Sequence, residues 1–183
     1  MAGLNDMAYP RRSIPWRRYG WVLALLLVLG AAPLHARESK HVIGWVERVA
    51  IYPGDLVVRA KIDTGARTAS LNCECVQHFR RDGEEWVRFT VVNTKGKSIS
   101  LERRVVRTAT IKRHFGGEQH RPVIRLGICL GGVYEETEVN LVNRSGFNYQ
   151  MLIGRNFLKE DFVVDPARTF LSDPRCADAP RRK

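Results

Sequence analysis

From Leu56 to Ile62 the chain alternates apolar and charged residues. Val58, Ala60 and Ile62 fall on one side and Arg59 and Lys61 on the other, and the run stops on Asp63-Thr64-Gly65-Ala66. A period of two is that of a half-buried strand rather than a helix. The residues that end it are turn formers: Asp accepts from nearby backbone N–H groups and Gly supplies permissive dihedrals. A carboxylate delivered at a strand end stands on rigid support, which a catalytic group requires. The same tripeptide also serves ordinary strand-to-turn transitions, so its meaning depends on the rest of the chain.

The rest is β-rich. Residues 42–49 predict a first strand, Tyr52-Pro53-Gly54-Asp55 a turn, and Leu56–Ile62 a second strand. Residues 86–92 and 98–101 predict a hairpin across Asn93-Thr94-Lys95-Gly96-Lys97. Residues 105–112 and 123–130 predict another pair across His114-Phe115-Gly116-Gly117-Glu118, and 137–142 one more strand before the loop at 143–146. Only residues 155–160 carry a helical pattern. Short strands at regular spacing predict a small all-β domain, closed or sandwich-like.

Two separated segments give the turn its context. Ala60-Lys61-Ile62-Asp63-Thr64-Gly65-Ala66-Arg67-Thr68 and Met151-Leu152-Ile153-Gly154-Arg155-Asn156, with Arg121-Pro122-Val123 between them, resemble the retropepsin-like aspartic peptidases. They look most like the RimK-associated bacterial branch often labelled "ATP-dependent zinc protease". The resemblance covers about residues 42–173. It implies a small closed acid-protease barrel with one short C-terminal helix, a domain over 37–175 and a basic tail over 176–183. It also implies that Asp63, Thr64 and Gly65 form the catalytic turn. Ala66 and Arg67 would face substrate, and Gly116 and Gly117 would form the tip of a flap, with the Lys95-Gly96-Lys97 turn as runner-up. Leu152, Ile153, Gly154 and Arg155 would be structural beside the site, with Leu152 and Ile153 filling the core and Gly154 packed against the acid turn. In retroviral relatives an acid commonly stands where this chain has Arg67. Two neighbouring arginines repel, so Arg155 is expected on Asp161 or Asp165, and Arg67 is free to favour an acidic substrate residue.

The chemistry sets a requirement on assembly. Two carboxyl groups held close share one proton, the ionised one activating water and the protonated one polarising the scissile carbonyl. One Asp-Thr-Gly is present and no internal repeat supplies another. The partner must then be Asp63 of a second copy, which implies a homodimer with the site on its twofold axis, and Thr64 could donate its hydroxyl across that axis.

The 183 residues are one domain in length. Arg11, Arg12, Arg17 and Arg18 precede an apolar stretch over 21–32, and Leu34-His35-Ala36 offers a cleavage point. This layout predicts a signal peptide over 1–36 and an exported, periplasmic protein. The apolar stretch is shorter than the ~20 residues of a membrane span, so an anchored form is expected only if the leader stays uncleaved. The net charge of +11 is spread among acids without interleaved aromatics. That argues against nucleic acid and for an anionic substrate or contact with an anionic envelope surface.

Cys73-Glu74-Cys75, with His78 and either Cys129 or Cys176, is a partial zinc pattern without the usual two-residue gap. Export favours instead a disulfide from Cys73 or Cys75 to Cys129 or Cys176. No His-Glu-x-x-His or Gly-x-Ser-x-Gly is present, and Gly96-Lys97-Ser98 has Val91 where a phosphate loop needs Gly. No cofactor is therefore expected. An exported, homodimeric aspartic endopeptidase is the leading expectation, set against a non-catalytic peptide-binding module and a structural zinc protein.

Overall fold

The computed structural model describes residues 39–112, 117–143, 146 and 148–180, and of Cys75 the backbone alone. The expected signal peptide and Gly116 lie outside these residues. The strands are β1 (His41–Tyr52), β2 (Leu56–Ile62), β3 (Ala69–Asn72), β4 (Glu74–Arg81), β5 (Glu84–Val92), β6 (Ser98–Lys112), β7 (Glu118–Leu130), β8 (Val133–Val142), β9 (Met151–Ile153) and β10 (Phe162–Thr169), with one short helix, α1 (Arg155–Leu158).

Six of these strands close on themselves. The order β1-β2-β9-β3-β8-β7 returns to β1 through the antiparallel pairing of Ala50, Ile51 and Tyr52 with Cys129, Ile128 and Gly127. Closure follows from the alternation: Leu56, Val58, Ala60 and Ile62 are buried while Val57, Arg59 and Lys61 face out. Ile43, Leu126, Ile128, Leu141, Met151 and Ile153 meet them inside. Each such side chain contributes about 1.5–3 kcal/mol when fully buried. β6 is long enough to serve two partners, β7 with its second half and β5 with its first. β4 and β5 thereby extend the sheet beyond the barrel, and Val87, Phe89 and Val91 still reach the common core.

The chain after β10 is fastened twice. Glu47, buried on β1, accepts hydrogen bonds at Oε1 from the amides of Gly44 (2.7 Å) and Leu171 (2.9 Å). Its Oε2 accepts from the Ser172 amide (3.2 Å) and hydroxyl (3.1 Å). Beyond this anchor Cys176 is disulfide-bonded to Cys129 of β7, with the Cα atoms 5.9 Å apart. This corrects the expected pairing through Cys73 or Cys75. The segment after β10 crosses the β7–β8 turn, where Ser172 packs on Gly131, and so reaches Cys129, while Cys73 is a free thiol inside the core.

The helix is also shorter than expected, ending at Leu158, and strands occupy 69–72, 74–81 and 162–169 where none was read.

Candidate active site

β2 carries Asp63 to the barrel's end, where the Asp63 amide donates to the Ile153 carbonyl of β9 at 2.9 Å. Two amides of the following turn, Gly65 N–H (3.0 Å) and Ala66 N–H (3.2 Å), donate to Asp63 Oδ1. A Cβ at Gly65 would stand 3.2 Å from that oxygen, a tight contact that would press on the carboxylate. Asp63 is half-buried, and Thr64 and Gly65 are exposed.

Arg155 corrects an expectation. It pairs with neither Asp161 nor Asp165; Asp165 is occupied by Arg168 (2.6 Å) and the Ala167 amide (2.8 Å), which together hold its carboxyl below the usual range. One Arg155 nitrogen donates instead to the carbonyls of Thr64 and Gly65, at 2.8 Å each. The carbonyls of Thr64 and Gly65 belong to the same peptide units as the N–H groups that hold Asp63. In a trans peptide these ends point oppositely. The Arg155 cation and the Asp63 carboxylate therefore polarise the same two peptides from either side, an arrangement in which each hydrogen bond strengthens the next.

Gly154 makes that reach possible. A Cβ there would lie 2.7 Å from the Thr68 carbonyl carbon and 2.8 Å from its oxygen, distances real side chains do not tolerate. With hydrogen in that place the start of α1 docks on the acid loop, the Arg155 amide donating to Ala66 O (2.9 Å) and the Asn156 amide to Arg67 O (3.0 Å).

Beside the turn opens a cleft of about 630 Å3. Ala66, Arg67 and Thr68 line one side. The opposite wall is one face of the β6–β7 hairpin, made of the cross-strand pairs Arg107–Val123, Ala109–Arg121 and Ile111–Gln119. Arg67 is exposed and has no carboxylate partner among the described residues. Arg107 pairs with Glu138 at 2.6 Å. Arg121 donates to Gln119 and to the buried Asn140, whose amide in turn donates to the Ala69 carbonyl at 2.8 Å. Leu152 also lines the cleft, half-buried, whereas Met151 and Ile153 on either side fill the core. The expectation of Leu152 as a core residue is corrected by strand alternation, which turns it away from the barrel interior. Gly117, with φ of 81°, begins the return arm of the hairpin.

A family model described as "Retropepsin-like aspartic endopeptidase RimB", of the RimB-like family, matches residues 42–175. The chain belongs to the RimB-like family. A protein named probable alpha-L-glutamate ligase from Shewanella pealeana is 36% identical over 138 residues, which are 73% of this chain and 30% of that protein. One of the same name from Desulfotalea psychrophila is 33% identical over 134 residues, 70% of this chain and 29% of that one. The chain thus spans about 30% of the length of the curated relatives it matches. The crystal structure of Lpg0085 from Legionella pneumophila, a protein of unknown function, is 34% identical with a TM-score of 0.63, covering 74% of this chain and all of that one.

Among the described residues of this RimB-like domain the candidate zinc ligands Cys73, Cys129, Cys176 and His78 do not gather. Cys129 and Cys176 are bonded to each other, and Cys73 is buried among apolar side chains that push its thiol up to about 12, a hydrogen bond to the Val142 backbone offsetting only part of this. His78 lies against Glu85 on the exposed face of β4 and β5. No group of three or more His, Cys, Asp or Glu that could hold a metal occurs among the described residues. Reading the turn motif left Arg107, Gln119 and Asn140 unassigned, although the period-two spacing of 107, 109, 111 and of 119, 121, 123 places each trio on one strand face.

Proposed function

We propose that this RimB-like protein is an exported aspartic endopeptidase that works as a homodimer, Asp63 of each copy supplying one carboxyl group. The observation that carries the reading is the hold on Asp63. Oδ1 is satisfied by two amides that Arg155 polarises from behind, while Oδ2 has no hydrogen-bond partner among the described residues. An oxygen so left open is available to a water and to a second carboxyl group. Two Asp63 groups at contact would share a proton, so that one takes a proton from the attacking water and the other donates to the carbonyl oxygen as charge builds on it. Exposure of Thr64 and Gly65 leaves the turn open for a partner turn.

The cleft supports a substrate bearing acidic side chains. Arg67 stands at its rim without a carboxylate partner among the described residues, and Arg107 and Arg121 line the facing wall. Relatives named for joining L-glutamate share this domain, which makes glutamate-containing peptides the first substrates to try. A leader over 1–36 would place the reaction in the periplasm, or at the membrane if uncleaved.

The test is digestion of paired peptides, alike except that one set carries glutamate where the other carries glutamine, by the protein and by Asp63→Asn. Cleavage is expected to favour the glutamate set and to fall by orders of magnitude in the variant, with its melting temperature kept. Undiminished cleavage by Asp63→Asn would overturn the mechanism, and inactivity of both proteins would favour a peptide-binding module.

A further inference from the structure

A second cavity, of about 440 Å3, lies between β1, the start of β2 and the turn joining β5 to β6. It is separate from the acid turn: along β2, Val57 and Arg59 on its wall precede Asp63 by roughly 20 and roughly 13 Å. Its lining carries Arg48, Arg59, Lys95 and Lys97 against the single acid Asp55.

This charge is built in rather than scattered. Arg48 and Arg59 face each other directly in the antiparallel register of β1 and β2, where like charges are destabilising. Several exposed arginines elsewhere on the sheet sit on carboxylates, among them Arg88 on Glu102 and Arg107 on Glu138. None of the four cations here has such a partner among the described residues. The turn that bears the lysines is fixed: Asn93 Oδ1 accepts from the Lys95 and Lys97 amides at 3.0 Å, and Asn93 Nδ2 donates to Val57 O at 3.1 Å. On the other side the Arg48 guanidinium stacks 4.6 Å above the Phe170 ring. Phe170 holds φ of 55°, a left-handed conformation that bulky side chains avoid, while its amide donates to Val46 O at 2.8 Å.

We propose that this cavity is a binding site for a phosphoryl group. Four cations facing one acid call for more than one negative charge on a compact ligand. A phosphate monoester approaches two and offers several strong acceptors to guanidinium, where a carboxylate offers one charge. Two sources share this chemistry, a free phosphate-type ion and the phosphomonoester headgroup of phosphatidic acid. Val57 and Phe170, exposed by 39% and 36%, give the pocket an apolar border beside which acyl chains could lie. With the headgroup as ligand, this outer face of β1 and β2 rests on an anionic envelope surface.

The full chain is titrated at low salt with inorganic phosphate and with pyrophosphate in a calorimeter. It is also floated with vesicles of phosphatidic acid in phosphatidylcholine and of phosphatidylcholine alone, and the difference between the two is the readout. Three paired variants are compared: Arg48→Gln with Arg59→Gln, Lys95→Gln with Lys97→Gln, and, as a control removing equal charge elsewhere, Arg125→Gln with Lys159→Gln. Saturable binding is expected, weakened about tenfold or more in both cavity variants and not in the control. Binding of the ions assigns the site to free phosphate, and binding of anionic vesicles alone assigns it to headgroups. Asp63→Asn should bind as the wild type does, so this outcome is independent of peptidase activity. Should the arginine variant fail to fold, the lysine pair on its exposed turn decides. No saturable binding to any probe, or equal loss in the control, overturns the proposal and leaves a solvated basic surface.

Discussion

Arg155 acts on Asp63 without touching it. Its guanidinium binds two carbonyls whose peptide partners hold the carboxylate, so the cation steadies the turn and deepens the potential at Oδ1. Arg155→Gln is expected to cost about 1.5–3 kcal/mol of stability, the range for hydrogen bonds to a charged group. It should lower kcat more than it raises KM, which thermal melts and steady-state kinetics on a cleaved peptide would show. A side chain serving only the fold would change the melt and leave kcat in place. Cys73 presents the opposite case, a residue whose chemistry is suppressed. Its thiol is pushed from 9.0 to about 12 by burial, so the folded chain keeps a proton that the unfolded chain gives up. The resulting stabilisation is complete below about pH 9 and disappears as pH rises toward 12. Melting temperatures across the alkaline range should fall more steeply for the wild type than for Cys73→Ala, and parallel slopes would contradict this assignment.

At the level of elements, the acid turn is completed by the β9–α1 junction, which arrives from the far end of the sequence. Gly154→Ala forces a methyl into the Thr68 carbonyl and should destabilise by about 1–3 kcal/mol, the range for overpacking. It should also free the Ala66 and Arg67 carbonyls from their amide partners, visible as faster hydrogen exchange at the Arg155 and Asn156 amides. Unchanged exchange would mean the junction can shift to make room. This junction was legible because Met151-Leu152-Ile153-Gly154 and Asp63-Thr64-Gly65 are local signals. β2 was read to its last residue because one face is buried and the other is wet. β10 was missed because Pro166 interrupts it; proline is tolerated there because β10 is the outermost strand of the sheet. β4 was hidden by Cys73-Glu74-Cys75, which reads as ligand spacing until the neighbouring strand is seen. The cleft wall was illegible for another reason. Arg107 and Gln119 become neighbours of Arg67 only when β6 and β7 pair and fold over the turn, and no local pattern carries that information.

For the whole molecule the decisive quantity is the number of Asp63 carboxyls in one site. A mixed dimer of wild type and Asp63→Asn would hold one such group and be inactive. With free subunit exchange at equal amounts, about a quarter of dimers are wild type on both sides, and activity per wild-type chain falls to roughly half. Adding excess mutant should lower it further. Activity indifferent to the mutant, with exchange verified by differently tagged chains, would place the partner acid within one chain.

The sheet order has a further consequence in time. β1 is flanked along its first half by β10 and along its second by β2, with β7 closing the ring at its end. The first of the described strands to leave the ribosome is thus covered by the last, and the Leu171 and Ser172 amides that donate to Glu47 come later still. Non-local pairing of this kind cannot form while its partner is unmade. Before residue 162 is made, the first half of β1 lacks the strand that covers it, so the sheet is completed only when synthesis is nearly finished.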